Sequence, residues 1–172
     1  MGTTPHTPAP AVVETEGIGN RAANLKQVKF SSDHALPTLL GVRWDSDKIR
    51  GIRLEMNDGT HAQAGGYDDS GYPLNQYHFK SGEKLSRAWL RDSGYGYGSV
   101  CQMRFVTSTG GTFSAGVWGF DNEISLAVGG ACLAGFHAWV NPDNFINGLA
   151  FLVRRDAPTV AATAPISVHT QR

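Results

Sequence analysis

Short runs in which apolar and polar residues alternate, each closed by a turn of Gly, Asn, Asp or Ser, constrain this chain more than any other feature. Ile52, Leu54 and Met56 alternate with Arg53 and Glu55, and Asn57-Asp58-Gly59 follows with residues that tolerate positive φ. A period of two puts the apolar set on one face of a strand, and such a turn reverses the chain into a hairpin. The form returns where Cys101, Met103 and Phe105 alternate with Gln102 and Arg104 before Ser108-Thr109-Gly110-Gly111, which leads into Thr112 and Phe113. A third unit reads as Ile124, Leu126 and Val128, a Gly129-Gly130 turn, Leu133 to Val140, and a last strand on Leu149, Phe151 and Val153. Three sheet-forming units without a sustained helical stripe predict a closed or prism-like all-β architecture.

A chain of 172 residues fits one domain and can bury a core without a metal or a disulfide framework. Its 21 glycines and 17% charged residues, against 41% apolar ones, suit a turn-rich globular protein rather than a helical bundle or a disordered chain. Residues 1–25 are rich in Thr, Pro and Ala and read as a flexible N-terminal arm. Residues 156–172 share that composition and read as a flexible tail, which leaves 26–155 as the folded domain.

Lys plus Arg equals Asp plus Glu and no basic run appears, so the electrostatic footprint of a nucleic-acid binder is missing. Cys101 and Cys132 lie in apolar strand-like segments, as buried free thiols or as a disulfide with each other, and lack the further ligands of a zinc site. No stretch has the length of a membrane span, and the N-terminus lacks the basic start and apolar block of a secretory signal. The expectation is a cytoplasmic protein, or one exported by a route the sequence does not show. Met1-Gly2 invites N-myristoylation, but Pro5 and His6 weaken that reading.

Trp44-Asp45-Ser46-Asp47-Lys48-Ile49-Arg50-Gly51-Ile52-Arg53-Leu54 resembles the opening signature of the jacalin-related lectins, an aromatic and acidic turn residues before Gly-Ile-Arg and an alternating strand. Ser81-Gly82-Glu83-Lys84-Leu85 is similar to the family's Gly-Glu-x-Ile turn, Met103-Arg104-Phe105-Val106-Thr107 to its Leu-x-Phe-x-Thr strand, and Gly135-Phe136-His137 to its Gly-Phe-His strand. Gly116 and Gly119 fall where the family has Gly-Pro-x-Gly, here without the proline. The motifs keep their order from Trp44 to Val153. The resemblance implies a β-prism of three four-stranded Greek-key sheets, oligomerisation, and a sugar site at one end of the prism.

In that family the loop before the last strand holds the sugar, with a carboxylate accepting from hydroxyls and backbone N–H groups donating. Here that loop runs from Ala138 to Asn147, with Phe145-Ile146 matching the family's aromatic and Leu. Asn147 stands at the position of the family's Asp, an amide without charge-assisted bonding, and Asp143 can substitute as the carboxylate. Ser31 to Pro37 occupies the place the resemblance assigns to the family's N-terminal glycine-rich loop.

Trp139, Asp143, Asn144, Phe145 and Asn147 thus form one part of a candidate carbohydrate site. Arg91, Asp92 and Tyr95, in an Arg-Asp-Ser-Gly-Tyr-Gly-Tyr-Gly segment that borders the family's pocket, form the other. Each has a plainer alternative. Asp143, Asn144 and Asn147 suit Asx turns and caps, Trp139 suits a core or an interface, and the Arg91 to Gly98 segment suits a long hairpin turn. Asp68-Asp69-Ser70-Gly71-Tyr72 lacks EF-hand spacing and reads as a solvated turn, and the six histidines are scattered.

No metal or other cofactor is expected. No nucleophile elbow, phosphate-binding loop or Cys/His pairing is present, so an enzyme is not expected either. Two readings remain: metal-free recognition of neutral sugar hydroxyls on a glycoconjugate, or a structural subunit that kept the prism and docks on a protein partner. Either suits a homo-oligomer or a subunit of a larger assembly.

Overall fold

The computed structural model describes residues 2, 3, 5, 11–94, 98–118 and 122–155. Among these, regular structure is all extended: β1 Val12–Glu14, β2 Ile18–Gly19, β3 Lys26–Ser31, β4 Pro37–Trp44, β5 Ile49–Met56, β6 His61–Gly65, β7 Leu74–His78, β8 Leu85–Asp92, β9 Val100–Thr107, β10 Thr112–Gly116, β11 Asn122–Ser125, β12 Cys132–Val140 and β13 Ile146–Arg154.

Every pairing is antiparallel, in three sheets. One has the order β6-β5-β4-β7 and the next β10-β9-β8-β11. Each is a Greek key whose fourth strand returns beside the first. The third sheet has the order β1-β13-β12-β3, with β2 also on β13. Counted from β12, it is the same Greek key closed by the two ends of the chain, so one topology is used three times.

The repetition extends to register. Each central hairpin has a shift near either end: Pro37/Leu39 and Arg43/Trp44, Leu85/Arg87 and Arg91/Asp92, Leu133/Gly135 and Trp139/Val140. Such bulges bend and twist a strand, which lets three sheets wrap one axis. Alternate residues then meet inside: Leu40, Val42, Ile52 and Leu54 from the first sheet, Leu90, Met103 and Phe105 from the second, Phe136, Leu149 and Phe151 from the third. Each buried side chain of this size contributes roughly 1.5–3 kcal/mol.

Three sequence expectations are corrected. Residues 12–14 and 18–19, read as part of a flexible arm, are strands on the edge of β13, where Thr15 N also donates to Phe151 O at 2.8 Å. Backbone pairing of so short an edge leaves no side-chain period to detect. Ile124 was grouped with the third unit, but β11 pairs with β8 in the second sheet. The resemblance gives Ser31–Pro37 the place of the family's N-terminal glycine-rich loop, which completes the sugar pocket. However, β3 runs antiparallel to β12 with Lys26 opposite Val140 and Ser31 opposite Gly135, so this segment lies at the other end of the prism.

The proposed tail at 156–172 lies outside the described residues. Cys101 and Cys132 are buried and not joined in a disulfide, and desolvation pushes the Cys101 thiol up to about 11. No described helix is long and apolar enough to cross a membrane.

Candidate functional site

The turn between β12 and β13 is the part of the candidate site that the structure presents to solvent. Asn141 N donates to Phe145 O at 2.9 Å, and Asn144 N donates to Asn141 O at 2.7 Å. Asp143 N donates to Asn141 Oδ1 at 2.8 Å, so the Asn141 side chain closes an Asx turn. Asn144 has φ 64°, the single positive value among described residues other than glycine. Asn tolerates this left-handed region better than most side chains. Pro142, Asp143 and Asn144 are exposed. Among the described residues no group donates to the Asp143 carboxylate.

Cations from the first sheet support the turn. Lys48 Nζ lies 4.9 Å and Arg50 Cζ 5.9 Å from the centre of the half-buried Phe145 ring. Arg50 also lies 4.5 Å over the Tyr72 ring and is hydrogen-bonded and ion-paired with Asp45. These contacts join the β4–β5 turn, the β6–β7 loop and the β12–β13 turn at one end of the prism.

Two clefts flank the turn. One, of about 310 Å³, has Asp143 and Asn144 on one wall and Gly65, Gly66, Asp68, Asp69 and Tyr72 of the β6–β7 region on the other, with Arg50 between. A Cβ on Gly65, whose φ is +68°, would come within 2.4 Å of Arg50 O, so glycine is what allows this loop to fold close. Asp68 accepts from Gln63 Nε2 at 2.7 Å, and Asp69 accepts from Gly71 N at 3.0 Å. The other cleft, of about 360 Å³, lies between Asn24, Leu25 and Lys26 on one side and Val140, Asn141, Pro142 and Asn144 on the other.

Of the candidate residues, Asp143 and Asn144 line these clefts and Phe145 supports them. The other described candidates line neither of these two clefts. Asn147 is 5% exposed, in the register shift where Val140 pairs with Ile146 and Trp139 with Gly148, and its carbonyl accepts from Asn20 N at 2.8 Å.

Trp139 is buried and stacked on His137 with ring centres 3.7 Å apart. The His137 nitrogens meet Glu14 Oε1 at 2.6 Å and Gln27 Oε1 at 2.9 Å, so this stacked pair ties β12 to β1 and β3. Asp92, also buried, accepts from Gly19 N, Gly94 N and Asn122 Nδ2 at 3.1, 2.9 and 2.6 Å and thereby ties β2 to the second sheet. Arg91 pairs with Glu123 at 2.9 Å and stacks 4.5 Å from the Trp118 ring. Tyr95 lies outside the described residues.

Sequence reasoning missed Arg50, Asp69, Tyr72 and Lys26. The available signal was the threefold repeat, which sends the loop after each third strand to the same end as the β12–β13 turn. Among the described residues no group of three or more His, Cys, Asp or Glu is placed to hold a metal ion.

No protein-family profile and no curated protein sequence matches the chain. Solved structures do. A lamprey immune protein superposes with a TM-score of 0.70 and 23% identity over 82% of this chain, which spans only 44% of that protein. Malaysian banana lectin superposes with a TM-score of 0.68 and 15% identity, covering 85% of this chain and 100% of its own. A mannose-binding jacalin-related lectin from Ananas comosus gives 0.65 and 15%, covering 85% and 99%. At these identities the likeness concerns the backbone path. The chain has the β-prism fold of the jacalin-related lectins.

Proposed function

We propose that this protein is a metal-free carbohydrate-binding module that recognises sugar hydroxyls with the β12–β13 turn. The observation that carries this reading is the Asp143 carboxylate, exposed on a turn fixed by its own hydrogen bonds and facing a cleft. A carboxylate accepting from sugar O–H groups forms short, charge-assisted bonds. The Asn144 amide can donate and accept beside it, and Tyr72, Leu25 and Pro142 offer apolar surface to the C–H face of a ring. Recognition of this kind needs no covalent or proton-transfer step. Single shallow sites bind weakly, so useful affinity comes from several copies in an oligomer or a larger assembly.

The test is a glycan array followed by titration calorimetry of the best ligand, with mannose included because one structurally similar lectin binds it. Asp143→Asn is expected to lower affinity about tenfold, the size of one charged hydrogen bond. An array with no bound glycan, or binding that neither Asp143→Asn nor Asn144→Ala weakens, sinks the reading. The burial of Asn147 favours a second one, a prism that docks on a protein partner. An empty array together with a stable complex in light scattering would select it.

A further inference from the structure

Among the described residues Asn144 alone lines both clefts, so the two hollows are sides of a single turn rather than separate sites. At about 310 and 360 Å³ each sits at the small end of the usual range for ligand pockets, roughly 300–1,000 Å³. Neither is roomy, yet together they flank a ridge one residue wide. We infer that the site takes a glycan segment of at least two linked sugars, laid across Asn144 with one ring in each cleft, and that the ring on the Tyr72 side carries no negative charge. This rests on the carbohydrate reading above and sharpens it.

The ridge suits a crossing point. Its backbone is fixed by the bond from Asn144 N to Asn141 O, and its exposed carboxamide offers an acceptor oxygen and two N–H donors. One side chain can therefore bond to both rings, or to one ring and the linking oxygen.

The two clefts differ in chemistry. On the Tyr72 side Asp68, Asp69 and Asp143 face one guanidinium, Arg50, already engaged by Asp45 and stacked on Tyr72. A sugar carboxylate or sulfate there would meet like charge without a free cation to offset it, whereas hydroxyls or an ammonium would find acceptors. On the other side Leu25 faces Val140 and Pro142 across an apolar lining, Lys26 beside Leu25 is exposed, and among the described residues Lys26 has no ion-pair partner. A ring there can present its C–H face, and an acidic substituent is tolerated.

The experiment uses the full chain in calorimetric titrations with mannose, mannobiose, mannotriose and a digalacturonate. Affinity is expected to rise about tenfold from mannose to mannobiose and to level off at mannotriose, with digalacturonate below mannobiose because one of its two acidic rings must enter the Tyr72 cleft. Tyr72→Ala and Leu25→Ala, one in each cleft, are each expected to bring mannobiose down to the level of mannose. Circular dichroism of both variants checks that they fold. Equal affinity for mannose and mannotriose, a gain that survives both substitutions, or digalacturonate binding as tightly as mannobiose overturns the two-ring site while leaving sugar binding intact. If the wild-type chain binds none of these sugars and nothing on the glycan array, the carbohydrate reading falls and this inference falls with it.

Discussion

The β4–β5 and β12–β13 turns occupy the same place in two copies of one Greek key, each just past a register shift at the end of its first strand. Both use their first residue as an Asx side chain: Asp45 Oδ1 accepts from Asp47 N at 2.9 Å, and Asn141 Oδ1 accepts from Asp143 N at 2.8 Å. The next acid differs in fate. Asp47 is held by Lys48 Nζ at 2.9 Å, whereas among the described residues Asp143 has no such partner. The first turn is also shorter, with four residues between paired Trp44 and Ile49 against five between Val140 and Ile146. The longer turn accommodates the left-handed Asn144. The first turn has thus used its acidic side chains on itself, whereas among the described residues the Asp143 carboxylate of the second engages no donor.

Acid titration gives the largest expected effect, on the self-satisfied turn. Burial pushes the Asp45 carboxyl up, but donors on Asp47, Arg50 and Lys48 outweigh it and hold it down at about 2 from an ordinary 3.8. At the opposite end of the prism, burial pushes Glu83 up, but hydrogen bonds from Thr107, Thr109, Tyr77 and Lys80 N hold it down at about 2 from 4.5. Both groups have a lower value folded than unfolded. Their contribution is therefore fully present above about pH 4.5 and is lost as the pH falls from there to about 2, at roughly 2–3 kcal/mol each. Urea unfolding across this range should show a steep loss that Glu83→Gln and Asp45→Asn flatten. A slope that neither substitution flattens would mean that these two carboxylates do not tie their turns down.

Next in size is the effect of substitution at neutral pH. Asp45→Ala removes the acceptor of two backbone N–H groups, of Asp47 and Lys48, and the partner of Arg50, so a loss of about 2 kcal/mol is expected by chemical denaturation. Asp143→Ala should change stability by less than about 0.5 kcal/mol, because an exposed side chain that anchors nothing is removed. Equal losses would mean that the two turns play one structural role.

The framework was legible because it repeats. Alternation at Ile52–Met56 and Cys101–Phe105 marked β5 and β9, and the Asn57–Gly59 and Ser108–Gly111 turns marked their hairpins. What failed was everything carried by backbone alone or by approach in space. β1 and β2 pair through main-chain groups and bear no period. Asp92 and Arg91 stand in a binding-like segment, and Gly19, Asn122 and Glu123, distant in sequence, engage them across the fold. Asn147 matched a family position by spacing along the chain, but it stands in β13, a strand whose residues are buried on both faces. Because a strand exchanges faces with every residue, motif spacing alone cannot decide which side chain meets solvent.

The smallest expected effect falls on the ridge. Asn144 holds φ 64°, where glycine is unstrained and a residue with Cβ is not, so Asn144→Gly should leave the fold unchanged or stabilise it by up to about 0.5–1 kcal/mol. The gain is small because Asn already tolerates this region and glycine adds entropy to the unfolded chain. If the turn is merely structural, this variant should be at least as good as the wild type in every assay. If Asn144 bridges two sugar rings, the same substitution raises or keeps the melting temperature while lowering mannobiose affinity to that of mannose. A more stable protein that binds less well distinguishes a turn kept for its ligand from one kept for its fold, since β4–β5 offers no position where the two properties separate.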